Sequence, residues 1–217
     1  MINVALPKGR LGNQVYKILE AAGYECPELL DSSSRKLVFE NADRGVRYFC
    51  VKPTDVHVYV ERGAADVGIV GKDDLLEYAP EVYELLDLKL GKCRMCICGP
   101  AGFEEDRSCT LKVATKFPHI ARHYYEELGR DIDIIKLHGS IELAPILGLS
   151  DVICDLVETG TTLRENNLVV LSEVVPISAR FICNPVAWQF RHEEIGRMKH
   201  ALEERIGKEN DHDDENL

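Results

Sequence analysis

With 217 residues, 45% of them apolar and 29% charged, the chain is long enough to bury one large core or two small ones. Its formal charge of -11 argues against nonspecific nucleic-acid binding, and no apolar run reaches the length of a membrane span. The short apolar stretch before Lys8 and Arg10 is the reverse of a secretory signal, so a cytoplasmic location is expected.

In chain order, residues 2–6 predict a strand ending at Pro7-Lys8-Gly9-Arg10. Residues 12–22 predict a helix on the spacing Val15, Ile18, Leu19, Ala22, stopped by Gly23. Residues 36–40 and 46–51 flank Asn41-Ala42-Asp43-Arg44-Gly45, a hairpin turn. Pro53 opens a helix reaching Arg62, followed by a buried strand at 66–71 and a short helix at 72–78. Residues 82–90 and 93–98 read as long strands able to cross between two lobes. After a loop at 99–108 come a strand at 111–115, a helix at 118–128, a strand at 132–137 and a helix at 140–147. A strand at 152–157 leads to a helix from Gly160, then strands at 168–175 and 179–183 and an amphipathic helix at 188–206.

This alternation predicts an α/β fold with mostly parallel sheets, in two lobes with a cleft between them. Residues 1–90 with 179–206 form the first expected lobe and 91–178 the second. Residues 207–217 have no apolar period and are expected to be an acidic, disordered tail, since 203–217 holds seven acids and two bases.

The strand at 152–157 is apolar except for Asp155, and it ends at Glu158-Thr159-Gly160-Thr161-Thr162. A strand running into a tight turn and a helix start aims backbone N–H groups and hydroxyls at one spot, which suits a phosphate. Asp155 lies within a few residues and could hold a sugar hydroxyl, so the segment outlines a phosphosugar site. Taken alone, the turn could be no more than a capped helix start, and Lys8 and Arg10 could be plain surface charges. A carboxylate inside an apolar strand is harder to explain without a partner or ligand. Glu142 reads either as a ligand group or as a structural carboxylate at a helix start.

Parallel sheets bind ligands at the carboxyl ends of their strands. Four loops fall there: Lys8-Gly9-Arg10, Gly71-Lys72-Asp73, Thr115-Lys116-Phe117-Pro118-His119 and the Glu158–Thr162 turn. Three carry bases, as a substrate rich in phosphates requires. The stretch through Gly68, Gly71 and Lys72 lacks the first glycine and the final hydroxyl of a P-loop. Cys93, Cys96, Cys98 and Cys109 could be imagined as zinc ligands, but the segment fits a buried strand better, with reduced core thiols. His119, His123 and His138 lack ligand spacing, so no protein metal site is predicted.

Glu142, Gly148, Ser150, Ile153, Asp155, Leu156, Thr159, Gly160, Thr162 and Leu163 match, position by position, the signature of the ATP phosphoribosyltransferase family. The resemblance extends to Leu6-Pro7-Lys8-Gly9-Arg10, Asp66-Val67-Gly68-Ile69-Val70-Gly71, Cys93-Arg94 and Lys116-Phe117-Pro118-His119. It implies two lobes like a type II periplasmic binding protein, with the active site between them. It also implies the first step of histidine biosynthesis. ATP and 5-phosphoribosyl 1-diphosphate would give N1-(5-phosphoribosyl)-ATP and diphosphate, with Mg2+ borne by the substrates. Asp155 would hold the donor's ribose hydroxyls. Glu158, Thr159, Gly160, Thr161 and Thr162, with Glu142, would complete that site. Lys8, Gly9, Arg10, Gly71, Lys72, Asp73 and Arg94 would meet ATP and the diphosphate, with Lys8 and Arg10 assisting catalysis beside Asp155.

The chain resembles the short form of the family. That form implies a regulatory subunit resembling histidyl-tRNA synthetase, a hetero-oligomer, and a homodimer or larger assembly of the chain itself. Lys52 stands where many relatives carry arginine, and lysine lacks the planar fork. A solute-binding module of the same fold and a phosphoribosyltransferase for another base are the competing readings.

Overall fold

A computed structural model describes residues 1–31 and 34–214, with side chains as far as residue 207. It begins with β1 (Ile2–Pro7) and α1 (Arg10–Ala21), followed by β2 (Val38–Asn41) and β3 (Val46–Val51). A 3-10 turn at Pro53–Asp55 enters α2 (Val56–Glu61), then β4 (Val67–Gly71), α3 (Lys72–Tyr78) and β5 (Tyr83–Asp87). Next come β6 (Cys93–Pro100), β7 (Leu111–Thr115), α4 (Pro118–Glu127), β8 (Ile132–Lys136) and α5 (Leu143–Ile146). β9 (Val152–Val157), α6 (Thr161–Glu165), β10 (Leu168–Ile177), β11 (Ala179–Cys183) and α7 (Pro185–Asp214) follow. The expectation for the tail at 207–217 falls on positions whose side chains, and from 215 whose backbone, lie outside the described residues.

The chain divides into two compact units. Met1–Leu75, Ala79–Gly91 and the segment from Ser178 onward form the first; Leu76–Tyr78 and Lys92–Ile177 form the second. The first holds a six-stranded sheet in the order β2-β3-β1-β4-β11-β5, the second a five-stranded sheet in the order β10-β6-β9-β7-β8. Both sheets are mixed, which corrects the expectation of mostly parallel strands. β3, β1 and β4 run parallel, as do β8, β7 and β9, while the other pairings are antiparallel. Helical crossovers make parallel neighbours. The β2–β3 hairpin and the strands flanking the two passages between units do not use such crossovers. β5 pairs with β11, and β6 with β10.

Each sheet is covered on both faces, as its alternation requires. On β1, Ile2, Val4 and Leu6 join a core with Tyr16, Leu19, Ile195 and Met198, while Ala5 meets Val56 and Val60 of α2. On β9, Val152 and Cys154 pack with Ile120 and Ala121 of α4. Ile153 and Val157 pack on the other face with Ala144 and Leu163. Asp155 shares the parity of Ile153 and Val157.

Three elements depart from the sequence reading for local reasons. The strand expected at 82–90 ends at Asp87, because Lys89 turns through a φ of 57° and donates its N–H to Asp87 Oδ1 at 2.9 Å. The helix expected at 140–147 shrinks to Leu143–Ile146. Pro145 has no N–H to donate to the preceding turn, and Ser140 sits at a φ of 49°. The last helix starts at Pro185 rather than 188, because Asn184 Oδ1 accepts the N–H groups of Val186 and Ala187 at 2.9 and 3.0 Å. It kinks at Arg191, whose guanidinium donates to Asp66 and to the Met1 carbonyl. Among the described residues no helix is long and apolar enough to cross a membrane.

Candidate active site

The β9–α6 turn builds a polar cavity in the second unit. Gly160 adopts φ 71° and ψ 11°, a left-handed conformation that costs an L side chain about 1–2 kcal/mol. That residue turns the chain from β9 into α6, whose first N–H groups have no intrahelical acceptor. Glu142, Asp155, Glu158 and Thr159 to Thr162 line a cavity of about 220 Å³ here. This is below the roughly 300–1,000 Å³ of drug-sized sites and suits a small polar group. The Thr159 and Thr161 hydroxyl oxygens lie 3.1 Å apart. Arg164 donates through Nη1 to the Thr159 carbonyl at 3.1 Å and through Nη2 to Thr161 Oγ1 at 3.0 Å. The cavity thus gathers hydroxyls and N–H groups with carboxylates.

Asp155 is half-buried, and burial pushes its carboxyl up to about 6. The Leu156 N–H, which donates to Oδ1 at 2.9 Å, pulls it down; Glu142 raises it and Lys116 lowers it. A carboxylate short of solvent is a strong acceptor for ligand hydroxyls, which would replace lost hydration. Glu142 stands at the N-cap of α5 but makes no side-chain cap bond. Glu142 instead lines the cavity.

Arg94 on β6 lies opposite Val157 in the sheet register, at the edge where β9 leaves the sheet. Its guanidinium pairs with Glu173. The other expected residues lie in the first unit. Lys8, Gly9 and Arg10 span the β1–α1 turn, with the Lys8 N–H donated to the Val51 carbonyl at 2.8 Å and Arg10 opening the helix. A Cβ on Gly12 would fall 1.7 Å from the Pro7 carbonyl oxygen, so only glycine lets α1 close onto β1. Gly71, Lys72 and Asp73 span the β4–α3 junction, where Asp73 folds its carboxylate back over Gly71. Lys72 pairs with Glu84 at 2.6 Å. Lys52 follows β3. Three parallel strands of this sheet, β1, β3 and β4, thus release a lysine at their carboxyl ends. Ion pairs at the surface contribute at most about 1 kcal/mol, so a polyphosphate competes readily for such bases.

Two contributors escaped the reading of motifs. Lys116 reads in the sequence as a loop base and part of the family resemblance, without a place beside Asp155, yet its charge acts on that carboxylate. Arg164 was not singled out, although its place three residues past Thr161 puts both on one helix face. The β7–α4 turn is closed from within. Glu77, only 4% exposed, accepts the N–H groups of His119 and Ile120 at 2.9 and 3.1 Å.

Cys96, Cys98, Cys154 and Cys183 are buried, and burial raises each thiol, the last three to about 12. They are protonated core residues at neutral pH. Among the described residues no three His, Cys, Asp or Glu side chains gather as a metal site.

A family model described as ATP phosphoribosyltransferase matches residues 52–204. The chain is 58% identical to an ATP phosphoribosyltransferase of Brachyspira hyodysenteriae over 205 residues, spanning 94% of this chain and 99% of that one. Among solved structures it is similar to the ATP phosphoribosyl transferase (HisG:HisZ) complex from Thermotoga maritima. That likeness has 36% identity and a TM-score of 0.84, over 96% of this chain and 100% of that one. It also resembles the periplasmic aliphatic sulphonate binding protein SsuA from Escherichia coli, at 10% identity and a TM-score of 0.62, over 99% and 75% of the two chains. Likeness at that identity concerns the fold alone, and there the expected periplasmic-binding-protein architecture holds.

Proposed function

This chain belongs to the ATP phosphoribosyltransferase family, and from that premise we propose that its β9–α6 turn seats the phosphoribosyl donor. The enzyme is a pentosyltransferase of the first step of histidine biosynthesis. It converts ATP and 5-phosphoribosyl 1-diphosphate into N1-(5-phosphoribosyl)-ATP and diphosphate. The observation that carries the site assignment is the cavity in which a half-buried carboxylate accompanies a turn of three threonines and a glycine. Thr159, Gly160, Thr161 and Thr162 surround the 5-phosphate with hydroxyls and N–H groups. Asp155, with Glu142 and Glu158 nearby, accepts the ribose hydroxyls.

The chemistry then needs alignment and charge stabilisation rather than a covalent nucleophile. Adenine N1 attacks the anomeric carbon as the bond to diphosphate breaks, through a transition state with oxocarbenium character. The Asp155 carboxylate orients the ribose and supplies negative charge beside the developing cation. Lys8 and Arg10, with Gly9, Gly71, Lys72, Asp73 and Arg94, bind ATP and the departing diphosphate; the bases neutralise its charge. Substrate-borne Mg2+ would supply further positive charge to the same leaving group, beside Lys8 and Arg10.

The solved relative from Thermotoga maritima is a HisG:HisZ complex. By that likeness this chain assembles with a regulatory subunit of the HisZ kind, resembling histidyl-tRNA synthetase, into a hetero-oligomer. Its own copies form a dimer or larger core, and the assembly works in the cytoplasm.

The test follows product absorbance from ATP, donor and Mg2+ with inorganic pyrophosphatase, in the presence and absence of the regulatory subunit. Thr159→Val and Thr162→Val each raise the donor KM about tenfold and leave the ATP KM unchanged, since each removes a hydrogen bond to a charged group. An unchanged donor KM in both variants would place the phosphate elsewhere.

A further inference from the structure

We propose that Arg164 is a positioning residue for the donor's 5-phosphate, because it ties the backbone and the hydroxyls of the turn together. The proposal rests on the reading of that turn as the phosphate seat. A guanidinium can only donate. Thr161 Oγ1, 3.0 Å from Nη2, must therefore accept, and its single proton goes elsewhere. Thr159 Oγ1 lies 3.1 Å from Thr161 Oγ1, and the Thr161 N–H also points to it at 3.5 Å. Whichever way the hydroxyl pair runs, one of its two protons is left to donate to a ligand. Tied down by Arg164, the turn keeps that donor in place. Chains of hydrogen bonds that start at a charge strengthen one another in the same sense.

The second fork of the guanidinium makes this a clamp rather than a single contact. Nη1 donates to the Thr159 carbonyl at 3.1 Å, so Arg164 spans the turn from backbone to hydroxyl. A Cβ at Gly160 would lie 3.6 Å from Nη1, so the guanidinium packs directly on the glycine. Arg164 thus brings a positive charge to the turn, where it favours an anion. α6 has only five residues, so the placed hydroxyls and this cation matter more here than the helix itself.

The experiment compares Arg164→Ala, Arg164→Lys, Thr161→Val and the Arg164→Ala/Thr161→Val double variant. It uses the full chain with its regulatory subunit, measuring calorimetric Kd for 5-phosphoribosyl 1-diphosphate and the KM and kcat for both substrates. Arg164 is exposed and outside the cores, so its replacement leaves the fold in place. Arg164→Ala weakens donor binding about tenfold, with kcat and the ATP KM held within about twofold. Arg164→Lys regains only part of the loss, because one ammonium cannot span both acceptors. The double variant binds donor about as weakly as the worse single one, since Arg164 acts through Thr161. Additive losses, or full recovery with lysine, would overturn the proposal in favour of direct or purely electrostatic contact. If Thr161→Val weakens donor binding while Arg164→Ala does not, the Arg164 role falls and the phosphate seat stands. If neither variant changes it, the phosphate seat itself is misplaced.

Discussion

β7 and β9 are adjacent parallel strands, and each runs through a short turn into a helix of the second unit. At the end of β7, the Thr115 hydroxyl donates to the Cys154 carbonyl at 2.7 Å and accepts the Phe117 N–H at 2.8 Å. The buried Glu77 carboxylate takes the N–H groups that open α4. That turn is complete without a ligand. At the end of β9, the threonines are exposed, the Thr161 N–H that opens α6 has only the Thr159 hydroxyl at 3.5 Å as an acceptor among the described residues, and Arg164 holds the hydroxyls from the helix side. A helix start attracts negative charge in either place. Where the chain supplies its own carboxylate the turn is scaffold; where it supplies hydroxyls and a glycine, it is the turn proposed to take the substrate's anion.

Substitutions can break this contrast, beginning with the largest effect. Asp155→Asn keeps the shape of the β9 site but removes its charge, and lowers kcat/KM for the donor about 100-fold. Steady-state kinetics with the regulatory subunit reads this, and a loss below about threefold would detach Asp155 from the ribose. The pH profile sharpens the same point. Burial raises the Asp155 carboxyl to about 6 in the fold, above the roughly 3.9 of an unfolded aspartate. The free protein therefore loses stability as pH rises from about 4 through 6, where the fold must give up a proton the unfolded chain has already lost. Urea midpoints of Asp155→Asn lack this fall. Donor binding needs the ionised form, so affinity drops about tenfold from pH 7 to pH 5 beyond any change seen in Asp155→Asn. Equal profiles for the two proteins would contradict the assignment.

Gly160→Ala tests the turn's backbone. At a φ of 71° the new Cβ costs about 1 kcal/mol, and donor affinity falls about fivefold if the turn relaxes. Unchanged calorimetric binding would show that the left-handed conformation does not matter to the ligand. The matching change at the other turn acts on the opposite observable. Glu77→Gln leaves donor kcat/KM within about twofold while costing about 1–3 kcal/mol of stability, a fall of several degrees in Tm. A donor-specific loss in Glu77→Gln would erase the distinction between scaffold turn and ligand turn.

Much of the site was legible because its parts are local. The apolar run to Val157, the intruding Asp155 and the Thr159-Gly160-Thr161-Thr162 turn sit within a dozen residues, and backbone sterics with hydroxyl chemistry dictate a strand, a left-handed glycine and a helix start. The same holds for α3, whose bounds coincide with the reading of 72–78, and for the hairpin around Gly45. What was misread depended on partners far along the chain or on a single backbone torsion. Ser140 and Lys89 at positive φ shortened a helix and a strand that periodicity alone would prolong.

Local chemistry by itself thus determined the α/β class, the strand, left-handed glycine and helix start of the β9–α6 turn, and the family signature, because hydrophobic period and turn residues act over a few positions. Tertiary structure alone decided that the sheets are mixed, and that Arg94 lies opposite Val157. It also decided that the α4 start is filled by Glu77, 42 residues from His119. Strand pairing and buried charge compensation are settled by which groups the packed core brings within hydrogen-bonding distance, and spacing in the sequence does not carry that information.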